Sequence, residues 1–217
     1  MSAPVPEELR DAQRRFARPD ALSFISGARE PRGTRRAAVL ILLSRAGDDG
    51  YEVVLIEKRA DLRSHAGQVA FPGGSIESID VDPVAAALRE ADEEVGVSPD
   101  AVEVLGVLPA AHIPRSGFDV TSVVGWWGNP VPLAPVDVQE VAAVHQVRVA
   151  HLLDPANRST WVLPGGFSGP AFAVGELYVW GFTAYLLDGM FDLLGWTLPW
   201  DASRTTEIPP RFFSERL

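Results

Sequence analysis

Residues 89–97 read R-E-A-D-E-E-V-G-V, a run in which acidic residues recur at helical spacing. Positions three and four apart lie on one face of an α-helix, so Glu90, Glu93 and Glu94 are predicted to share one patch. Like charges at this spacing destabilise a helix by roughly 0.2–0.5 kcal/mol per pair unless a cation lies among them. Mg²⁺ and Mn²⁺ prefer carboxylate oxygen and leave ligand positions for water and phosphate. The pattern therefore predicts a divalent metal site formed by these carboxylates, with a solvated acidic face as the alternative.

The helix that carries these carboxylates has recognisable ends. Asp82 is the expected N-cap, Pro83 the first-turn residue and Gly96 the C-terminal stop. Arg89 lies four residues before Glu93 and is expected to orient its carboxylate. Apolar residues at helical spacing form the expected buried stripe: Val84, Ala87, Leu88, Ala91 and Val95.

The segment before this helix favours the metal site over the solvated face. Residues 53–77 read V-V-L-I-E-K-R-A-D-L-R-S-H-A-G-Q-V-A-F-P-G-G-S-I-E, an apolar strand followed by a basic loop that contains glycine. Gly73 and Gly74 lie between loop and helix, where a missing Cβ lets the backbone approach a ligand or adopt a positive φ. A basic loop, a glycine turn and an acidic helix together indicate a phosphate group bridged by a metal ion.

These residues resemble the signature of the Nudix hydrolases, G-x5-E-x7-R-E-U-x-E-E-x-G-U, in which U is aliphatic. Gly74 opens this box and residues 89–97 close it. The interval between Gly74 and Arg89 is one residue longer than in the general signature, and the isolated glutamate becomes either Asp80 or Glu77.

The extra residue and the upstream loop are similar to the coenzyme A pyrophosphatase branch of that family. The second signature of the branch resembles L-L-T-x-R-S-x-x-L-R-x-H-x-G-Q-V-x-F-P-G-G, and residues 55–74 carry many of its positions. Glu57 and Ala60 depart from it where the branch usually carries hydroxyl side chains. These departures affect the fine contacts with the substrate.

The resemblance implies a fold, a reaction and a cofactor. The implied fold class is α/β (α+β), the Nudix α/β/α sandwich with a mixed β-sheet between helices. The implied reaction is metal-dependent hydrolysis of the diphosphate bond of coenzyme A or its acyl derivatives, with Mg²⁺ or Mn²⁺ as cofactor and 3′,5′-ADP and (acyl-)4′-phosphopantetheine as products. The implied catalytic residues are Arg89, Glu90, Glu93 and Glu94, of which the three glutamates bind metal. Another nucleoside diphosphate derivative, such as ADP-ribose or NADH, and a Nudix-like binding protein without turnover are the alternatives.

The candidate substrate-binding residues are Arg59, Arg63, His65, Gln68, Gly73 and Gly74. Arg59 and Arg63 are expected to bind phosphates, the 3′-phosphate of coenzyme A among them, with surface salt bridges as the alternative. His65 is expected either to hydrogen-bond a phosphate or to pack against the loop. Gln68 is expected to reach the pantetheine amides or to fix the loop.

The general base is expected either within the box or in a later loop, where Asp137 and Glu140 are the candidates. Solvated loop charges are the alternative for both residues. Trp126 and Trp127 are expected to pack in the core or at a dimer interface rather than to stack on an adenine.

The rest of the sequence predicts short apolar strands and a few helices. Further helices are predicted at residues 6–18 and 181–194. Strands are predicted at residues 38–43, 52–57, 104–108 and 120–127, and less regular ones at 141–149, 160–163 and 171–174. Prolines mark residues 129–136 as a surface connection. A mixed sheet between helices fits this pattern.

The chain has 217 residues, a mass of 23.4 kDa, a formal net charge of −10 and no cysteine. This size predicts a single domain over residues 1–217, with a helical N-terminal extension of about residues 1–35 and a C-terminal extension of about residues 195–217. The acidic charge argues against nucleic acid or an anionic membrane as the main partner. Without cysteine, disulfides, thiol catalysis and cysteine zinc sites are excluded. Lys58 is the one lysine, which indicates an arginine-rich composition rather than a function.

No apolar leader begins the chain, and polar residues interrupt the apolar run at residues 182–200. Neither a secretory signal nor a membrane span is therefore predicted, and cytoplasmic localisation is expected. The expected partner is a small-molecule nucleotide substrate, and a homodimer is the candidate oligomer.

Overall fold

The computed structural model describes residues 3–16, 18, 21, 29–47, 50–62, 66–114 and 116–213. In these residues, groups of β-strands are separated by single α-helices. The α-helices are α1 (Glu7–Phe16), α2 (Pro83–Val95), α3 (Val149–Leu153) and α4 (Gly181–Leu194). The strands are β1 (Arg35–Arg45), β2 (Tyr51–Lys58), β3 (Val69–Ala70), β4 (Gly73–Ser75), β5 (Val102–Val107), β6 (Ala111–Ile113), β7 (Phe118–Trp127), β8 (Val141–Arg148), β9 (Arg158–Val162), β10 (Ser168–Val174), β11 (Leu177–Val179) and β12 (Thr205–Glu207). Short 3₁₀ helices span Pro99–Ala101, Pro155–Asn157 and Pro210–Phe213.

Strand β1 lies in the middle of the larger sheet, which has eight strands. It pairs in parallel with β7, from Arg35 opposite Phe118 to Ser44 opposite Trp127. It pairs antiparallel with β2 and with β4. Strand β2 also pairs antiparallel with β3 and β8, and β7 pairs antiparallel with β5 and β6. The sheet is therefore mixed, as the sequence predicts.

Helices cover both faces of this sheet. Because successive side chains of a strand point to opposite faces, β1 contributes to two apolar cores. Leu40 and Leu42 pack in a core with residues of α2. Ile41 and Leu43 pack in the other core with residues of α1 and α4. This α/β/α sandwich confirms the predicted fold class.

Several predicted elements are confirmed with small changes at their ends. Helix α4 has the predicted bounds, whereas α1 is shorter than the predicted helix and β1 begins three residues earlier than predicted. Trp126 and Trp127 are buried, which confirms core packing. Residues 129–136 have no regular secondary structure, as predicted for a surface connection. Within the described residues, no helix combines the length and apolar character needed to cross a membrane.

A second, four-stranded sheet follows in the order β11-β10-β9-β12. The sequence predicts parts of β9 and β10 but not β11 or β12. Strand β12 is short and polar, and its parallel pairing with β9 depends on a partner more than forty residues away. Strand periodicity therefore gives no sign of it, and part of the predicted C-terminal extension belongs to this sheet.

Arg158 of β9 ties the smaller sheet to α4. Its guanidinium lies 4.7 Å from the centroid of the Phe172 ring and 4.4 Å from that of Trp200. It also forms an ion pair with Asp188 of α4. Burial raises the pKa of the Asp188 carboxyl, and the arginine opposes that shift. Sequence analysis missed this contact. Arginine is rarely buried without a charged partner, and here only the fold brings that partner close.

Candidate active site

Helix α2 begins and ends where the sequence predicts. The Asp82 side chain accepts a hydrogen bond of 2.8 Å from the backbone N–H of Ala85. Gly96 caps the other end with φ 72° and donates to the last carbonyl groups of the helix. Ala87, Ala91 and Val95 of the predicted stripe are buried. Local capping and periodicity thus place the acidic residues on α2 without help from the tertiary structure.

The glycine pair lets β4 lie against both the sheet and α2. Gly73 has φ 152°, and a Cβ atom there would lie 2.4 Å from the carbonyl oxygen of Ala38 on β1. A Cβ atom at Gly74 would lie 2.5 Å from Oε1 of Glu90. The Glu90 carboxylate therefore packs on the backbone of Gly74, in space that a side chain would fill.

Arg89 clamps the loop before α2 onto the helix. Its Nε and Nη2 atoms donate to the two carboxylate oxygens of Asp80, each at 3.0 Å. The backbone N–H of Glu77 also donates to Asp80, at 2.8 Å. Of the two candidates for the isolated acidic residue, Asp80 is therefore the one that contacts Arg89. The predicted contact between Arg89 and Glu93 is present at 2.9 Å.

Asp80→Asn is expected to lower the melting temperature by a few degrees at neutral pH. The Arg89 guanidinium and the Glu77 N–H hold the pKa of the Asp80 carboxyl below its ordinary value of 3.8. A depressed carboxyl pKa stabilises the folded state above the ordinary value, and that contribution is lost as the pH falls through the folded-state pKa. Thermal unfolding measured from neutral to strongly acid pH should therefore show that the difference in melting temperature between wild type and variant disappears below about pH 3.8. A difference that stays constant with pH would contradict this role.

Glu94 is buried in an ion-pair network that the sequence did not reveal. Its Oε1 atom lies 2.8 Å from Nζ of Lys58, and its Oε2 atom accepts a hydrogen bond of 2.9 Å from the N–H of Gly73. The same lysine lies 2.5 Å from Oε1 of Glu140. Lys58 is thus a site residue that sequence analysis missed. Strand alternation offered a clue, because Lys58 follows Val54 and Ile56 on the strand face that packs toward α2.

The two inward carboxylates are electrostatically unfavourable without a cation. Burial raises the pKa of the Glu90 carboxyl, and repulsion from Glu94 and Glu93 adds to the shift against the attraction of Arg89. Burial also raises the pKa of the Glu94 carboxyl, although Lys58 and the Gly73 N–H oppose it. Both groups therefore gain from a further positive charge nearby.

The three glutamates predicted to bind metal do not converge in this structure. Glu93 is exposed and turned toward Arg89, whereas Glu90 and Glu94 face β4 and the sheet. Among the described residues, no group of three or more histidine, cysteine or acidic side chains has metal-binding geometry. Glu90 and Glu94 nevertheless fit a hard divalent ion, because they are carboxylates on one helix face with too little positive charge beside them.

The remaining predicted site residues lie in different settings. Arg59 is half exposed and forms two hydrogen bonds of 2.8 Å with Asp61, which is the salt-bridge alternative. The backbone carbonyl of Gln68 accepts from the N–H of Lys58, so this residue lies beside the network. Arg63 and His65 lie outside the described residues.

Glu140 and Asp137 also differ in position. Glu140 reaches Lys58 next to α2. The Asp137 carboxylate accepts from the N–H of Gln139 within its own loop, at 2.9 Å. Of the two later-loop candidates for the general base, Glu140 is the one in contact with the site.

Two protein relatives are similar to this chain over a little more than half of its length. The protein named "Uncharacterized Nudix hydrolase NudL" from Shigella flexneri serotype 5b (strain 8401) is 46% identical over 125 residues, which is 58% of this chain and 63% of that protein. The NudL protein of Escherichia coli (strain K12) is 45% identical over 125 residues with the same coverage. The match thus spans less than two thirds of the length of these relatives.

Two solved structures share the fold at low identity. A Nudix hydrolase from M. smegmatis, RenU, superposes with a TM-score of 0.54 at 17% identity and covers 76% of this chain and 88% of that one. A MutT/nudix family protein from Enterococcus faecalis gives a TM-score of 0.51 at 17% identity, with 88% of this chain and 74% of that one covered. The NUDIX domain profile matches residues 34–161, more than half of the chain, including the glycine pair and all of α2. The chain therefore belongs to the NUDIX domain family.

Proposed function

We propose that this protein hydrolyses the diphosphate bond of coenzyme A or its acyl derivatives, giving 3′,5′-ADP and (acyl-)4′-phosphopantetheine. The observation that carries the hydrolase assignment is the Glu90 carboxylate packed on the backbone of Gly74, one helical turn from the buried Glu94. Members of the NUDIX family generally need divalent metal ions. The assignment to coenzyme A is supported by the likeness of residues 55–74 to the second signature of that branch.

The residues of the site have distinct roles in this proposal. Glu90 and Glu94 would hold Mg²⁺ or Mn²⁺, with Glu93 completing the site directly or through water. A bound divalent ion neutralises phosphate charge and lowers the pKa of a water molecule at the diphosphate. Arg89 fixes the helix and its loop through Asp80, so that the carboxylates keep their position relative to the glycine pair.

The glycine pair and Glu140 complete the proposed chemistry. The missing side chains at Gly73 and Gly74 let β4 lie against β1 and against the Glu90 carboxylate, which keeps that carboxylate in place for the proposed metal. The side chain of Glu140 is 47% exposed, so it is open to solvent as well as to the site. We assign it the role of accepting the proton of the attacking water.

The alternatives are separated by chemistry. A pure binding protein has little physical reason to keep Glu90 in a buried position beside Glu94 and Glu93, because burial and repulsion from these carboxylates cost free energy that a bound cation would compensate. Hydrolysis of ADP-ribose or NADH uses the same metal and the same carboxylates. Glu57 and Ala60, which depart from the branch signature, leave substrate choice to a panel of substrates assayed with Mg²⁺ and with Mn²⁺.

The position of the cut tests the proposed function directly. Hydrolysis of coenzyme A in ¹⁸O-labelled water is expected to give 3′,5′-ADP and 4′-phosphopantetheine, with one labelled oxygen in one of the two products. The physical reason is that the metal and the carboxylates act on the diphosphate and leave the 3′-phosphate untouched. Mass spectrometry of the products is the measurement. Inorganic phosphate as the first product would show a phosphomonoesterase that acts on the 3′-phosphate, and free pantetheine would show cleavage of its ester bond to the diphosphate. Either result would refute the proposal.

The preference for the 3′-phosphate tests the proposed role of Arg59. Arg59→Ala is expected to lower kcat/KM for coenzyme A by roughly 10- to 100-fold and to change it little for dephospho-coenzyme A, because one charged contact is lost. Asp61→Asn is the matched control, since it releases Arg59 from its salt bridge without removing the arginine. Equal losses on both substrates would assign Arg59 to the diphosphate or to the loop.

The proposal extends to the domain organisation, the partner and the oligomeric state of the protein. We propose a single domain over residues 1–217 with N-terminal and C-terminal extensions, a nucleotide as the small-molecule partner, and a homodimer as the candidate oligomer. Light scattering of the purified chain measures the oligomeric state.

A further inference from the structure

The only lysine of the chain lies inside the candidate active site. Lys58 is 9% exposed at the end of β2, and the other residues of the Lys and Arg set are all arginines. The register between β2 and β8 shifts at this point, where Glu57 is opposite Ala143 and Lys58 is opposite Val141. The extra residue therefore belongs to β8, and Lys58 keeps the regular alternation of β2 on the face of Val54 and Ile56. A lysine buried on an otherwise apolar strand face indicates a specific role for its ammonium group.

The ammonium group joins two carboxylates from different parts of the fold. Nζ lies 2.8 Å from Oε1 of Glu94 on α2 and 2.5 Å from Oε1 of Glu140 in the loop before β8. The backbone N–H of Arg59 also donates to the carbonyl oxygen of Glu140, at 2.9 Å, so this loop is fixed next to the end of β2. Without the ammonium, Glu94 and Glu140 repel each other.

Both oxygens of the Glu94 carboxylate are in use. Oε1 pairs with Lys58, and Oε2 accepts from the N–H of Gly73. A divalent ion on this carboxylate would place further positive charge within a few ångströms of Nζ, where the repulsion is strong because the site is buried. Lysine carries a compact charge on a flexible four-carbon stem, so it can move away without a change in the backbone.

We propose that the Lys58 ammonium is an internal counterion that holds Glu94 and Glu140 together in the metal-free protein, and that a divalent ion displaces it from Glu94. This inference rests on the proposed function, because it presumes that Glu94 binds metal. Lys58 is thus a positioning residue that competes with the metal.

The single lysine makes a direct test simple. Protein labelled with ¹³C and ¹⁵N only in lysine gives a single Cε resonance, because no other lysine is present. Titration with Mg²⁺ is expected to shift the Lys58 Cε resonance and to saturate at the same Mg²⁺ concentration as binding measured by calorimetry. Glu94→Gln should abolish the shift. This experiment uses the wild-type chain, so it does not depend on whether a lysine variant folds.

A second measurement uses affinity. Lys58→Gln is expected to bind Mn²⁺ at least about tenfold more tightly than wild type and to unfold at a lower temperature without metal. Arg148→Gln is the matched control, because it removes the same charge at the far end of the β2–β8 pairing, opposite Glu52. The control should keep the wild-type Mn²⁺ affinity within about twofold.

The outcomes separate this inference from the function on which it rests. If calorimetry detects metal binding but the Lys58 Cε resonance does not shift, the counterion role is wrong and the hydrolase assignment still stands. Wild-type Mn²⁺ affinity in folded Lys58→Gln would overturn it as well. Failure of the wild-type protein to bind either Mg²⁺ or Mn²⁺ would refute the metal-dependent function together with the inference.

Discussion

Glu90→Gln is expected to lower kcat for diphosphate hydrolysis by about two to three orders of magnitude while the protein stays at least as stable as wild type. The glutamine keeps the shape of the side chain on Gly74 but removes the charge that would hold the metal. Stability is spared because burial and repulsion from Glu94 and Glu93 disfavour the wild-type carboxylate more than its ion pair with Arg89 favours it. Steady-state kinetics with Mg²⁺ and thermal unfolding without metal measure the two effects.

Glu94→Gln is expected to cause a similar loss of turnover but a different change in stability. The carboxylate of Glu94 is 2% exposed and contacts Lys58 and the Gly73 N–H. Replacing it leaves the buried ammonium with Glu140 alone, so the free energy of unfolding should fall by about 1–3 kcal/mol. The sequence alone predicts that both glutamine variants spare or raise stability, and the burial of Lys58 changes that expectation for Glu94.

A control variant and a contrary result complete this prediction. Glu103→Gln removes an acidic charge from an exposed position on β5 and should leave turnover and stability near wild type. Near-normal turnover in both Glu90→Gln and Glu94→Gln with Mg²⁺ would refute the metal site on α2.

Gly74→Ala is expected to reduce turnover by about two orders of magnitude with a small change in stability. The added Cβ would lie 2.5 Å from Oε1 of Glu90, which is the end of a flexible side chain that can move. The fold therefore survives, but Glu90 leaves its place beside the glycine pair. Kinetics and thermal unfolding of the same preparation separate the two effects.

Gly73→Ala is the matched comparison, because the same methyl group meets backbone instead. Its Cβ would lie 2.4 Å from the carbonyl oxygen of Ala38, at a φ of 152° that other residues rarely adopt. The free energy of unfolding should fall by at least about 2–3 kcal/mol. If Gly73→Ala is as stable as wild type, or if Gly74→Ala retains normal turnover, the close packing of β4 against β1 and α2 has no functional role.

Features that depend on neighbouring residues could be predicted from the sequence. The ends of α2 follow from Asp82 and Gly96, because a capping side chain and a left-handed glycine act within a few residues of the helix end. The face that carries Glu90 and Glu94 follows from the helical period. The longer strands of the larger sheet, β1, β2, β5, β7 and β8, follow from apolar runs, whereas the short strands β3, β4 and β6 were not predicted. Helices around a mixed sheet follow from the pattern of elements.

Some features could be assigned only from the geometry of the folded backbone. Asp80 and Glu77 were the two candidates for the isolated acidic residue of the signature, and the sequence predicted no contact of either with Arg89. The loop geometry turns the Asp80 carboxylate toward the guanidinium, and the Glu77 N–H donates to the same carboxylate. The sequence also did not predict the complete smaller sheet, because β12 is a short polar strand that forms only through its pairing with β9. No local propensity specifies such a strand.

The surroundings of Glu94 depend on contacts between residues that are distant in the sequence. Lys58 meets Glu94 and Glu140 across sequence separations of 36 and 82 residues. Those contacts depend on the packing of α2 on the sheet, on the β2–β8 register and on the irregularity beside Lys58, none of which leaves a local pattern. The helical spacing and the glycine pair are enough to predict that the carboxylates share a helix face next to a glycine turn. Which cation pairs with Glu94 depends on the fold, because a buried charge is stable only where distant segments bring its partners together.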